Sequence, residues 1–278
     1  MSAGILKTIK HVGALTLDYL KWRWWPRCDT AFLRDLPYQE LFFNDYLMRY
    51  EWKCRKVNHL IGLRDKRLVI TGCGEGNEID VWRRFQPRCI FGYDLLDYGA
   101  QWRRLPSHSR KRVMRANAMR LPFRRESFDV IVSDAVFEHI MDLPACLEQC
   151  AYALAPNGAV YASFGPIYRS WGGTHVNLGL EHGYDHLLMT EAEYELQLTP
   201  QYASQRIWWD DELLNGLAVR EYLEIFQRQF RIDYLGVVLS WQGICFMKQF
   251  PETWQRLLAQ NDKKDLLIKS LIVVLRKR

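Results

Sequence analysis

A short glycine loop is the part of this sequence best suited to holding a ligand. It follows an apolar run at residues 67–71 and precedes a helical pattern at residues 77–85. Glycines permit a tight turn and let a ligand approach the backbone, while a helix N-terminus offers unpaired N–H groups. We expect a nucleotide-like cofactor here, at the carboxyl edge of a sheet. The loop consists of Gly72, Cys73, Gly74, Glu75 and Gly76.

Two polar positions farther along the chain fit the same ligand. Asp94 ends the next strand pattern, 18 residues after Gly76, where an acid accepts the hydroxyls of a ribose. Asn117 follows a weaker third strand and is placed to hydrogen-bond an adenine edge. The dinucleotide pattern GxGxxG fails in both frames, because Asn77 and Ile79 occupy its last position, and no GK[ST] of a P-loop occurs.

Four histidines are candidate general bases, because an unperturbed imidazole titrates near neutral pH. One histidine follows the fourth strand pattern, close to Ser133 and Asp134. The others lie in residues 166–209, which we expect to cover a substrate pocket. A purely structural role for each remains open. Although three of them are spaced as metal ligands can be, the ligand pattern is incomplete, so we predict no metal. The four are His139, His175, His182 and His186.

Alternating strand and helix patterns must position these residues. Strands are predicted at 67–71, 88–93, 111–116, 128–133 and 159–164, then at 231–239 and 266–275, the last antiparallel. Helices are predicted at 77–85, at 143–154 before a Pro156-Asn157-Gly158 turn, and at 210–230. Such alternation predicts an α/β, Rossmann-like, seven-stranded and mostly parallel sheet with helices on both faces.

The remaining segments suggest how the chain is divided. Residues 31–63 are predicted to be helical, so residues 1–65 are interpreted as a helical N-terminal cap. Residues 66–278 then form the α/β domain, with residues 166–209 as a substrate-side insertion after the fifth strand. Basic residues alternate with tryptophans near the N-terminus, which suits either a cap helix or peripheral contact with a membrane surface.

Composition limits the class of protein. The 278 residues are 49% apolar and 25% charged, which excludes long disordered tracts, collagen and coiled coil. The net charge of +6 is mild and does not demand nucleic acid. Seven cysteines without a CxxC predict neither a disulfide framework nor a zinc ribbon; Cys146 and Cys150 are expected to be buried free thiols. With no long apolar run and no signal peptide, we expect a cytoplasmic protein.

Several motifs together resemble those of class I S-adenosylmethionine-dependent methyltransferases, in particular the type 11-like small-molecule subgroup. They are TGCGEG, the strand-end Asp94, NAxxLPFxxxSFDVIVSDAVFEHI and ALAPNGAVYASF, and they cover residues 66–165. The resemblance implies S-adenosylmethionine as cofactor, with the glycine loop around its methionine part and Asp94 on its ribose. It places Leu95, Asn117 and Ala118 at the adenine, and the backbone of Ser133 at the amino acid portion.

One position departs from the family pattern. The family usually has an acid two residues before the first loop glycine, where this chain has Ile70, so Glu75 or Asp134 would have to replace that contact. The expected function is methyl transfer to a small molecule, at oxygen. The alternatives are a non-catalytic scaffold with this fold, suggested by Ile70, and RNA methylation, which lacks an RNA-binding module or concentrated basic face.

Overall fold

One sheet of eight strands forms the centre of the computed structural model, which describes residues 30–43, 50–107, 112–175, 180–197 and 214–278. The strands occur across the sheet in the order β1-β7-β8-β6-β5-β2-β3-β4. Their bounds are β1 Glu40–Phe42, β2 Arg67–Thr71, β3 Cys89–Asp94, β4 Val113–Arg115, β5 Phe128–Asp134, β6 Leu154–Phe164, β7 Phe230–Leu239 and β8 Ile268–Lys277.

The sheet is parallel except at β8, which runs antiparallel to both of its neighbours, β6 and β7. The α/β class, the mostly parallel sheet and the antiparallel last strand are therefore confirmed. Parallel neighbours need long crossover connections, and the helical segments between the strands supply them. As a result the carboxyl ends of β2, β3, β4 and β5 lie along one edge of the sheet.

Helices cover both faces of the sheet, as predicted. On one face Leu147 and Phe226 join a large apolar cluster, while Val57 and Trp82 belong to a second cluster on the other face. The helices are α1 Tyr50–Ile61, α2 Ile79–Arg83, α3 Gly99–Trp102, α4 Leu143–Ala153, α5 Asp185–Leu188, α6 Glu191–Gln197, α7 Val219–Gln229, α8 Trp241–Gln249, α9 Pro251–Leu258 and α10 Lys263–Leu267.

The described helices also test the predictions about cysteines and membrane spans. Cys146 and Cys150 on α4 are buried free thiols, as expected. In the part of the chain that the structure describes, every helix is too short or too polar to cross a bilayer. Residues 1–29, with the suggested membrane contact, and residues 198–213 lie outside the described residues. The predicted 210–230 helix is too long at its start: residues 214–218 are described and are not helical, and α7 begins at Val219 after Ala218 in an extended conformation.

The prediction of an entirely helical segment over residues 31–63 is wrong. Among the described residues of this segment (31–43 and 50–63), only Ala31–Leu33 and α1 are helical, and β1 joins the sheet as an eighth strand, parallel to β7. Backbone and side chain of Gln39 fix this edge: its N–H donates to the carbonyl of Leu235, and its Oε1 accepts the N–H of Leu235. A partner far along the chain thus overrides the local helical pattern. The division between residues 65 and 66 stays a prediction.

The predicted Pro156-Asn157-Gly158 turn is also placed differently. These residues lie inside β6, where the pairing with β5 shifts between Phe128 and Val130. Asn157 has a φ of 62°, which asparagine tolerates better than most residues. The segment forms a bulge: β6 has more residues than β5 between two paired positions, and the pairing resumes after them.

Candidate functional site

The glycine loop leaves the carboxyl end of β2 with three glycines in the left-handed region. Gly72, Gly74 and Gly76 have φ values of 68°, 49° and 85°. A Cβ on Gly72 would lie 2.2 Å from Cγ2 of Val136, so no larger residue fits. A Cβ on Gly74 would meet nothing within 4 Å, which leaves that side of the loop open to a ligand.

Asp94, at the end of β3, is bonded to this loop. Its Oδ2 accepts the N–H of Gly74 at 2.8 Å and its Oδ1 accepts the N–H of Leu96 at 3.0 Å. Each carboxylate oxygen keeps a lone pair that can accept a further hydrogen bond, for example from a hydroxyl group of a sugar. Leu95 beside it is 51% exposed and offers an apolar surface suited to packing against an aromatic base.

Asn117 lies in a turn after β4, close to the same acid. The N–H of Ala116 donates to the carbonyl of Asp94, which holds this segment against the end of β3. Asn117 Oδ1 accepts the N–H of Met119 at 2.8 Å, so the turn is fixed by its own side chain. The predicted positions Asp94, Asn117 and Ala118 therefore lie along one edge.

At the end of β5 two predicted residues have different surroundings. Ser133 is buried, and its Oγ has no hydrogen-bond partner among the residues the structure describes. Asp134 binds Nζ of Lys53 through both carboxylate oxygens at 2.5 Å and accepts the hydroxyl of Ser163. Lys53 comes from α1, and sequence reasoning missed it because nothing in its own segment marks it as a site residue.

The other residues in and beside the glycine loop have the following surroundings. Glu75 is exposed and accepts a bond from Nδ2 of Asn77 at 3.1 Å. Burial, and to a smaller degree the charge of Asp94, raises the pKa of the Cys73 thiol to about 12, so it stays protonated and is no nucleophile. Ile70 is buried and carries no polar atom; Glu78 lines the small space beside it, together with Ser133 and Asp134.

The structure brings together two of the four candidate bases. The rings of His139 and His175 lie edge to face, with their centroids 4.9 Å apart. Burial, followed by the charge of His139, lowers the pKa of His175 to about 4, so this ring is neutral at pH 7.

The other two histidines bind within their own segment. The side chain of His182 is 46% exposed, and its Nδ1 lies 2.7 Å from Oδ2 of Asp185. His186 is buried, and its Nε2 lies 2.7 Å from the carbonyl oxygen of Tyr168. Burial lowers the pKa of His186 to about 4. These contacts account for both rings without a ligand.

A cavity of about 280 Å³ opens beside the end of β5. Its size suits a small molecule or the reactive part of a larger one. Charged, hydroxyl-bearing and apolar residues line it, and it shares Lys53 and Asp134 with the small space next to Ser133. The lining includes Lys53, Asp134, Ser163, Gly165, Pro166 and Lys269.

Comparison with known proteins adds sequence relatives. Residues 69–162 match a family model described as a methyltransferase domain. The chain is 30% identical over 219 residues to a ubiquinone biosynthesis O-methyltransferase of Nitrobacter winogradskyi, covering 73% of this chain and 76% of that protein. A protein of the same description from Bradyrhizobium is 28% identical over 155 residues, 53% of this chain and 58% of that protein.

Solved structures show the same fold. An S-adenosylmethionine-dependent methyltransferase from Mesorhizobium loti superposes with a TM-score of 0.52 at 21% identity, covering 82% of this chain and 98% of that one. A geranyl diphosphate C-methyltransferase from Streptomyces coelicolor superposes with a TM-score of 0.50 at 14% identity, covering 90% of this chain and 85% of that one. At these identities the likeness concerns the arrangement of the sheet and its helices.

Proposed function

The chain belongs to the S-adenosylmethionine-dependent methyltransferases, and from that premise we propose that it methylates a hydroxyl oxygen of a small molecule. S-adenosylmethionine is its cofactor, and it supplies a methyl group on a positively charged sulfur that is already a good leaving group. The described relatives that act in ubiquinone biosynthesis and on malonyl-[acyl-carrier protein] are O-methyltransferases, which supports oxygen as the acceptor atom.

The residues around the glycine loop fit this cofactor. Gly74 has an open side, the hydroxyl of Ser133 has no partner among the described residues, and Asp94 has spare lone pairs. Together they offer the space, donor and acceptors that the cofactor requires. In the proposal the glycine loop surrounds the methionine part and Asp94 binds the ribose hydroxyls. Leu95, Asn117 and Ala118 border the adenine.

The ammonium group of the cofactor needs an acid that Ile70 cannot supply. Of the two candidates, Asp134 lines the small space beside Ser133, whereas Glu75 is exposed and accepts a bond from Asn77. We therefore assign the role to Asp134, whose carboxylate Lys53 holds in place.

The acceptor is assigned to the cavity beside Asp134, and this cavity is the observation that carries the proposal. Asp134 lines both this cavity and the space beside the proposed cofactor residues. The cavity is also lined by Ala135, which comes shortly before the turn Phe137–His139 in the sequence. Holding both reactants in one place supplies much of the rate in such a displacement. His139 and His175 are the proposed bases, because a hydroxyl of high pKa must lose its proton.

The experiment is methyl transfer from S-adenosylmethionine labelled in its methyl group. The purified protein is incubated with a panel of phenols, catechols, sugars and carboxylic acids, and products are separated by mass spectrometry. Label in an ether of one hydroxyl compound supports the proposal. Label only in a methyl ester, an amine, a carbon-methylated product or RNA contradicts it.

Two variants connect the product with the proposed bases. His139→Gln and His175→Gln are expected to lower turnover at saturating cofactor by tenfold or more in at least one case, since general base catalysis is worth about a hundredfold or more. His182→Gln, whose ring binds Asp185, is the comparison of equal chemistry. Full turnover in both of the first two variants would remove the histidines from the reaction.

A further inference from the structure

A buried carboxyl group stands beside the two facing histidines. Glu138 is 2% exposed and lies in the turn Phe137–His139 that follows β5. Its Oε1 accepts the N–H of Gly165, which lines the cavity, at 2.8 Å. Its Oε2 has no hydrogen-bond partner among the described residues. A buried carboxyl oxygen without a partner is costly, which points to a use for it.

We propose that Glu138 receives, through His139 or His175, the proton that the acceptor hydroxyl loses on methylation. The inference rests on the proposed function and makes Glu138 a positioning residue, since it acts through another side chain. One oxygen of Glu138 and one ring nitrogen of each histidine all lie within 4.8 Å of one another. Contacts of this kind are commonly longer in a free enzyme and tighten when the substrate binds.

The proton balance of the step is complete without another reactant. The acceptor oxygen forms a bond to the methyl carbon as the carbon–sulfur bond breaks, and that electron pair remains on sulfur. The O–H bond of the acceptor gives its proton to an imidazole nitrogen of His139 or His175. The histidine then passes a proton to Oε2 of Glu138, from which it later reaches water.

The relative proton affinities suit this direction. Burial raises the pKa of Glu138 to about 8, with a smaller contribution from the charge of Asp134, while Lys53 and the N–H of Gly165 act in the opposite sense. The pKa of His175 is lowered to about 4 by burial, then by His139 and Lys269. A proton is therefore held more firmly by the carboxyl than by His175.

Tyr222, on α7, is a further titratable neighbour of Glu138 among the described residues. The pKa of this phenol is raised by burial and by the charge of Glu138, so it stays protonated throughout the range in which the carboxyl titrates. A change of charge near pH 8 in this cluster would thus come from Glu138.

The first test follows the histidine rings by NMR from pH 5 to pH 10. His139 and His175 signals are assigned from the His139→Gln and His175→Gln variants. We expect both rings of the unaltered protein to shift with an inflection near pH 8, and expect the inflection to vanish in Glu138→Gln. Glu148→Gln removes an exposed carboxylate from α4 and should retain it. An inflection that is absent from the unaltered protein, or that persists in Glu138→Gln, overturns the proposal.

The Glu138→Gln variant is expected to fold. The side-chain carbonyl of glutamine can still accept the N–H of Gly165, so Glu138→Gln should melt close to the unaltered protein and bind S-adenosylmethionine with the same Kd. Should it fail to fold, Glu138→Asp retains the carboxyl group, and its rings should again show an inflection in the alkaline range. Loss of the inflection in a folded Glu138→Asp contradicts the proposal.

The second test measures turnover against pH with the acceptor identified by the labelled-methyl panel. Turnover should rise with pH to about 8, and Glu138→Gln should be at least tenfold slower with a flat profile. If a chelator abolishes turnover and added Mg²⁺ restores it, the reaction depends on a bound cation and the proposal is wrong. A panel without any acceptor overturns the proposed function, whereas the NMR titration still decides the role of Glu138.

Discussion

Oδ2 of Asp94 accepts the N–H of Gly74 at 2.8 Å, so the acid that closes β3 also fixes the loop that leaves β2. Two adjacent parallel strands end at the same edge, and this bond joins their ends. The hydrogen bond orients the carboxylate before any ligand arrives, which lowers the entropy that binding would otherwise cost. At the proposed cofactor site, the fold therefore orients this carboxylate in advance.

Replacing Asp94 by asparagine should weaken the binding of S-adenosylmethionine. The amide keeps the size of the side chain but presents an N–H₂ group where an oxygen now accepts hydrogen bonds. Loss of one bond to a charged group costs about 1.5–3 kcal/mol, which corresponds to roughly a tenfold to hundredfold rise in Kd. Isothermal titration calorimetry measures this rise.

The matched control for that change is Asp262→Asn. Asp262 is exposed and likewise accepts a backbone N–H, from Lys264, but it lies at the start of α10. Its substitution should leave the Kd for the cofactor unchanged. Equal affinities of the Asp94→Asn variant and the unaltered protein would show that the ribose is bound elsewhere.

Replacing Gly72 by alanine should destabilise the protein. The new Cβ would lie 2.2 Å from Cγ2 of Val136, and the φ of 68° is unfavourable for alanine. Backbone strain of this kind costs about 1–3 kcal/mol, and the clash adds to it. Urea unfolding measures the loss, and the double variant Gly72→Ala with Val136→Ala should recover part of it. A double variant no more stable than the single one would mean that Val136 is not the obstacle.

The stability of the protein should fall in acid partly because of His186. Its pKa is about 4 in the folded protein and 6.5 in an unfolded chain, so only the unfolded chain takes up a proton between these values. Stability linked to this ring is thus fully present above pH 6.5 and is lost as the pH falls toward 4. At 1.36 kcal/mol per pKa unit the change amounts to about 3 kcal/mol.

Urea unfolding of His186→Gln between pH 7 and pH 4 tests this dependence. The variant keeps a side-chain N–H for the carbonyl of Tyr168 but does not titrate, so its stability should depend less steeply on pH. His182→Gln, at an exposed position, provides the comparison. Identical slopes for His186→Gln and the unaltered protein would assign the acid sensitivity to other groups.

The glycine loop, Asp94 and the order of the later strands were predictable because their signals are local. A glycine run between a β-branched strand and a helix, or an acid after the next strand, depends on residues that are neighbours in sequence. The parallel arrangement then follows from the handedness of the connections, which brings the ends of β2 and β3 to one edge. Chain order alone thus determined the α/β class and the placement of the proposed cofactor residues along one edge of the sheet.

Other features depend on residues that only the folded chain makes neighbours. Lys53 and Asp134 form an ion pair although they are 81 positions apart in sequence. The residues of β1 have a helical sequence pattern, but they form a strand because they pair with β7 at the edge of the sheet. Likewise, His175 reaches His139 and Glu138 only through the path of the segment after β6. Packing free energy selects such contacts over local preference, and burial then sets their pKa values, so the tertiary structure alone decided them.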